Sequence, residues 1–387
     1  MSYCHLEKNV TPRGPRAVTN SRAFAHAEPS CAAPFRACTI EMAKQDSNLK
    51  GHRPGLRPNP RHLLRSLVGK DRMPTTAPRT VYDPDLSKAQ VKLFTDIAVP
   101  LLKEVLNHGL ALFVRCSIRP EGDDENLMIL FTYRHLLEML DSVLIQIAEC
   151  SPATAALQLR AMFEALLTLE YVTCDKAKTR QRALAYLYQV LLQRKAFYLA
   201  QDPNTPEGKA FLEYVSDDPY SKDYKSVQVQ DLAERLKEID ELIDTPDFQV
   251  ITEEYRRVRK THGGKPNWYS LYDGPRTIKD LARLLKRGAS YAILYKEWSE
   301  RMHSVDAIDR ILTHDSSGPS ARPLRDPTEL NSTVDFAITF AIAAARCLIR
   351  HYRPEEEPAF KKWVANEIMP NWKRIPKIIV KGSVERI

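Results

Sequence analysis

The sequence predicts an all-α chain, a multi-helix bundle of about ten helices behind a disordered basic N-terminal segment. Three observations carry that expectation. From Asp85 onward apolar residues recur at helical spacing almost without interruption, and no convincing run of period-two alternation breaks the pattern. Glycine is scarce, at 13 residues in 387. That scarcity argues against tight hairpins and against glycine-rich phosphate loops.

Residues 1–80 mix Pro, Arg and Ser with no helical period, as in Gly51-His52-Arg53-Pro54-Gly55-Leu56-Arg57-Pro58-Asn59-Pro60, and read as a disordered tail. Met42 and Met73 are alternative starts, so a second reading places residues 1–72 outside the natural product. A transit peptide suits the Arg-rich, acid-poor composition, but no clear amphipathic helix accompanies it. Residues 85–370 then form a single helical domain. Leu86–Cys116 reads as a helix with a kink at Pro100, and Asp123–Cys150 as a long amphipathic one. Ser151-Pro152, Thr205-Pro206 and Thr245-Pro246 are start signals, a capping side chain before a residue whose missing N–H is not needed there. Leu157–Val172 is apolar nearly all round and is expected at the centre of the bundle. Further helices are read at Lys176–Gln201, Val227–Ile243, Phe248–Lys260, Ile278–Lys286, Ala289–His303 and Glu329–His351, with Thr277 and Asp280 as a capping box. Pro358–Asn366 is a short closing helix.

Charge and cysteine usage exclude several classes. Residues 1–80 carry 14 Lys or Arg and 5 Asp or Glu, whereas the remainder carries 43 and 44. The basic balance therefore belongs to the tail, and net charge gives no reason to expect nucleic-acid binding by the folded part. Hydrophobic residues make up 43% of the chain, enough for a sizeable core. Cys4, Cys31, Cys38, Cys116, Cys150, Cys174 and Cys347 form no C-x-x-C pair and read as free thiols of a reducing compartment. No secretory h-region opens the chain, and its longest apolar run, Phe336–Ala345, is far shorter than a membrane span. A cytoplasmic location without a membrane span is the expectation.

The most informative stretch is Tyr291–Ser304. On an α-helix Tyr291, Tyr295, Ser299 and His303 line one stripe, and Leu294, Trp298 and Met302 lie beside it and bury it. The opposite wall is expected from the central helix, whose charges are Arg160, Glu164 and Glu170. Arg160 and Glu164 lie one turn apart, either as an ion pair fixing helix register or as part of a cleft. In the cleft reading Arg160 binds an anion and Glu164 acts as base or orients His303. Ser299 in mid-helix cannot occupy the strained turn of a hydrolase nucleophile. Glu300-Arg301-Met302-His303 has the Glu-x-x-His order of di-iron bundles but occurs once, and ligand pairs at zinc spacing are absent. Neither a metal nor a cofactor is expected. Arg134 and Glu138 read as a surface pair beside His135. The aromatics of Thr261–Ser270 either stack a nucleobase or pack the loop onto the bundle.

One alternative rests on Arg257-Val258-Arg259-Lys260-Thr261-His262. An Arg with a His about a helical turn and a half beyond it, at a helix end, resembles the HEPN ribonucleases, and Arg256 meets the spacing too. That resemblance implies metal-independent RNA cleavage by Arg257 and His262 across a homodimer. Val258 stands where those proteins favour a polar residue. More broadly, Leu159-Arg160-x-x-x-Glu164, the Trp268-Tyr269 loop and the Tyr291-Tyr295-Ser299-His303 helix together resemble an uncharacterised helical family, domain of unknown function 5677, over roughly residues 125–350. The resemblance implies an all-helical, mostly bacterial, cytoplasmic domain without a settled activity, sometimes linked to HEPN-like proteins. The leading expectation is a helical-bundle protein binding a small anionic ligand or nucleic acid at Arg160, Glu164, Tyr291, Tyr295, Ser299 and His303. A non-catalytic interaction module is the third reading.

Overall fold

The structure is a computed structural model that describes residues 84–118, 124–221, 231–295, 298–299, 312–315, 318–322 and 324–378, all within one compact unit, Pro74–Ile387. The predicted first helix divides in two. Helix α1 spans Pro84–Gln90 and α2 Lys92–Ser117, because Val91 leaves the helical region at ψ 13°. Apolar spacing continues across that break, so periodicity could not reveal it. Helix α2 runs unbroken through Pro100.

Helices α3 (Asp124–Ala148) and α4 (Ala155–Thr173) come next, joined by a 3-10 turn at Pro152–Thr154. Pro152 does begin that turn as its sequence suggests, but Ser151 makes no capping bond. The chain continues through α5 (Thr179–Gln201), α6 (Pro206–Asp217), α7 (Leu232–Ile243), α8 (Pro246–His262) and α9 (Ile278–Leu284). Two starts are capped as their sequences predict: Thr205 Oγ1 accepts the Gly208 N–H at 3.0 Å, and Thr277 Oγ1 accepts that of Asp280 at 3.1 Å. Thr245 instead donates its hydroxyl to the Leu242 carbonyl at 2.8 Å.

A short turn α10 (Gly288–Ser290) passes directly into a π-helical turn at Tyr291–Tyr295. Beyond it lies a hairpin the sequence does not reveal, β1 (Leu312–Asp315) antiparallel to β2 (Gly318–Ala321). Strands of four residues are too short to display alternation, and the class remains all-α. Helix α11 (Leu330–Tyr352), α12 (Glu357–Trp363), a second π turn (Val364–Ile368) and α13 (Met369–Arg374) complete the described chain.

Helices α2, α3, α4 and α11 pack together as the central bundle. Their core holds Phe94, Leu102, Leu112, Tyr133, Leu140, Phe163 and Phe340, all nearly inaccessible. Helices α2 and α3 approach closely at Gly109, where an added Cβ would meet a Leu137 methyl at 2.6 Å. A smaller core lies under α5 and α8, built from Leu184, Tyr188, Phe248, Ile251, Val258 and Leu271. By length and composition alone, Lys92–Ser117 and Pro327–Tyr352 are apolar enough to cross a membrane. Their most apolar windows are 33% and 61% buried inside the fold. Length and composition of this kind also mark the core helices of soluble bundles.

Candidate functional site

Helix α4 buries Leu159, Met162, Phe163, Leu166, Leu167 and Leu169, so its few polar side chains are confined to the remaining stripe. Arg160 and Glu164 share that stripe one turn apart. Arg160 Nε donates to Glu164 Oε1 at 3.0 Å, and Arg160 Nη2 donates to the Tyr295 hydroxyl at 2.8 Å. The guanidinium carbon also lies 4.5 Å from the centre of the Tyr295 ring. The Arg160 side chain is only 20% exposed, whereas that of Glu164 is 43% exposed. The pair is half open to solvent, with the carboxylate its more exposed member.

The π turn supplies the opposite wall. Tyr291 and Tyr295 stack with ring centres 5.0 Å apart and planes 19° apart. Leu294 and Trp298 are buried as expected, Trp298 against Phe336 and Phe340. The predicted stripe assumes α-helical geometry throughout, and the π turn corrects that. Such turns insert an i to i+5 hydrogen bond into a helix and shift the phase of the residues beyond them. Ser299 is half-buried in a helical segment after Trp298. His303 and Met302 lie outside the described residues, so the structure joins Arg160, Glu164, Tyr291 and Tyr295 and is silent on the fourth member of the stripe.

Tyr269 is a member that sequence reasoning misses. Burial pushes its hydroxyl up to about 12, and Tyr295, Glu164, Tyr291 and Asp280 push in the same direction. The Tyr295 hydroxyl is raised by burial and by Glu164, with Arg160 opposing. Both phenols therefore hold their protons at neutral pH and act as hydrogen-bonding groups, not bases. The loop that carries Tyr269 packs onto the bundle, the plainer of its two readings. Trp268 is buried against Tyr171 and Tyr186, and its backbone N–H donates to Gln189 Oε1 at 2.7 Å.

A second ion pair, cross-linked and largely buried, closes the other end of α4. Arg287 Nε and Nη2 donate to the two Glu170 oxygens at 3.1 and 2.5 Å, with side chains 27% and 17% exposed. The lone Glu170 on a central helix is the available signal for a partner. The distance to Arg287 in sequence hides its identity.

Arg257 and His262 are positioned by α8. Arg257 donates to Glu254 at 2.6 and 2.8 Å and to Asp273 at 3.1 Å. Glu254 Oε1 also accepts the Tyr272 N–H at 2.7 Å. This clamp holds Tyr272 and Asp273 in the left-handed region, at φ 56° and 58°, which side-chain-bearing residues rarely adopt. Arg257 thus has a structural task on the chain itself. His262 is the exposed last residue of α8, and its side chain makes no hydrogen bond among the described residues. On α3, Arg134 and Glu138 form the expected exposed pair at 3.4 Å. Among the described residues no three His, Cys, Asp or Glu side chains converge as a metal site.

A family model described as a family of unknown function (DUF5677) matches residues 126–319, a span that takes in both walls of the cluster and the turn held by Arg257. No curated protein and no solved structure matches the chain.

Proposed function

Because this chain belongs to the DUF5677 family of unknown function, we propose its role from the geometry of its own residues: a helical-bundle protein that binds a small organic cation. The site comprises Glu164, Tyr291, Tyr295 and Tyr269, with Arg160 holding the walls together. The observation that supports this reading is the half-exposed Glu164 carboxylate, set beside two stacked tyrosine rings and a third phenol.

The sequence points to an anion because it offers Arg160 as the recognising charge. In the fold Arg160 is the more buried member and donates to both Glu164 and Tyr295, which leaves the carboxylate as the more exposed charge. Of the groups that act on Tyr269, the carboxylates Glu164 and Asp280 favour positive charge nearby. Aromatic faces with an adjacent carboxylate attract ammonium groups by their quadrupole and by charge, worth about 0.5–2 kcal/mol per ring. The protonated phenols supply donors and acceptors that orient a bound molecule.

Calorimetric titration of the full chain with spermidine and choline, beside ATP and a short RNA, tests this. Saturable binding of an amine that weakens about tenfold in Glu164→Gln and in Tyr291→Ala is expected. Binding of ATP or RNA alone would restore the anionic reading. RNA cleavage lost in His262→Ala would move the function to Arg257 and His262.

A further inference from the structure

Helix α3 belongs to the central bundle, yet one line of its surface is open. Leu127, Phe131 and Ile145 on that line are 46%, 63% and 55% exposed. Between them stand Arg134 and Glu138, whose side chains are 40% and 53% exposed. Positions 127, 131, 134, 138 and 145 fall within about 60° of one another around the helix and span about 27 Å of its length. We infer that this stripe is the contact face of a two-fold dimer, with a second copy of the chain lying antiparallel across it.

The order of residues along the stripe argues for that occupant. With the exposed Asp141 included, its steps alternate between four and three residues, the spacing of a helix–helix seam. A two-fold axis midway between Arg134 and Glu138 sets Arg134 opposite the partner's Glu138, and Glu138 opposite the partner's Arg134. The same axis sets Leu127 opposite the partner's Ile145. Phe131 then faces the partner's Asp141 and Ser142, side chains small enough to leave room for its ring. The charges are thus complementary to a reversed copy of themselves. A parallel copy would set like against like at both positions. Within one chain Arg134 reaches Glu138 at 3.4 Å with the arginine first, the weaker order for such a pair, so little is lost when the two exchange partners.

Other occupants fit less of the stripe. A lipid surface would cover Phe131 only by taking the charges of Arg134, Glu138 and Asp141 out of water. A partner protein of one charge sign would match either Arg134 or Glu138 and repel the other. Further apolar surface lies at the Leu127 end. Gly109 of α2 packs on Tyr133 and Leu137, and six residues separate Ser117 from Asp124. The end of α2 therefore lies beside the start of α3, with Val114 and Ile118 55% and 76% exposed. Exposed apolar groups gathered in this way mark interaction surfaces. None of the residues assigned to the amine site belongs to this face.

Sedimentation equilibrium of the full chain tests the inference. A reversible dimer is expected, weakened about tenfold by R134E and by E138R, since each variant sets like charges opposite one another across the axis. The double variant R134E/E138R restores the complementary order and should regain the wild-type dissociation constant. Phe131→Ser should weaken the dimer as well. All three positions are on the surface, and thermal unfolding of each variant checks that the fold is intact. A wild-type monomer at every concentration overturns the inference, as does a dimer indifferent to Phe131→Ser and to both single reversals. Loss in both single reversals without recovery in the double variant overturns the antiparallel two-fold. A monomer that binds phosphatidylcholine vesicles through Phe131 overturns it in favour of a lipid surface.

Discussion

The two halves of α4 carry similar charges and treat them differently. Toward its C-terminus Glu170 meets Arg287 in a bidentate, largely buried pair. Toward its N-terminus Arg160 meets Glu164 from the same helix, and the pair stays half open beside Tyr295. The first pair joins residues 117 apart in sequence and ties α4 to the segment before the π turn. The second joins neighbours one turn apart on the same helix, and only the Arg160 bond to Tyr295 reaches another element. Ion pairing on this helix therefore has two meanings, cross-linking at the closed end and an accessible charge at the open end.

That contrast can be broken most directly at the closed end. Arg287→Ala strands the Glu170 carboxylate in the core, and urea unfolding should show a loss of about 3 kcal/mol. A loss within experimental scatter would mean that Glu170 reaches solvent and that the two ends are alike.

The turn at Tyr272–Asp273, which shares a cavity with Tyr171 at the closed end, responds to acid. Hydrogen bonds from Arg257 hold the Glu254 carboxyl below its usual value against the effect of burial, with the Tyr272 N–H assisting. A depressed carboxyl contributes stability that is complete above its unfolded value of 4.5 and lost as pH falls through the folded one. The stability gap between wild type and Glu254→Gln should therefore be largest near neutrality and shrink below about pH 4.5. An unchanging gap would show that the clamp is not ionic.

The smallest effect belongs to the open end. Glu164→Gln should change unfolding free energy by less than about 1 kcal/mol, because exposed pairs contribute little. A cost as large as that of Arg287→Ala would turn the open pair into a second cross-link and remove the case for a site.

Local signals are legible in the sequence and distant ones are not. The Thr205 and Thr277 caps are readable because donor and acceptor lie within one turn. The central position of α4 is evident from its apolar circumference, and Arg160 with Glu164 stands out against it. Their contact with Tyr295 is anticipated by the stripe. Arg287, Tyr269 and Tyr272 are not legible, because burial and left-handed backbone arise only when distant segments meet. The break at Val91 is hidden because an apolar residue preserves the periodic pattern on both sides. The π turn is hidden for a related reason: Tyr291 and Tyr295 have the same spacing in either kind of helix.

The π turn at Tyr291–Tyr295 also bears on how this family is to be aligned. In length it is equivalent to an α-helix carrying one inserted residue. A relative that lacks the insertion would present the same aromatic pattern with everything downstream rotated by about 100°. Against such a relative, comparison residue by residue across this stretch would need a one-position gap within the turn before Ser299 and the positions after it were matched.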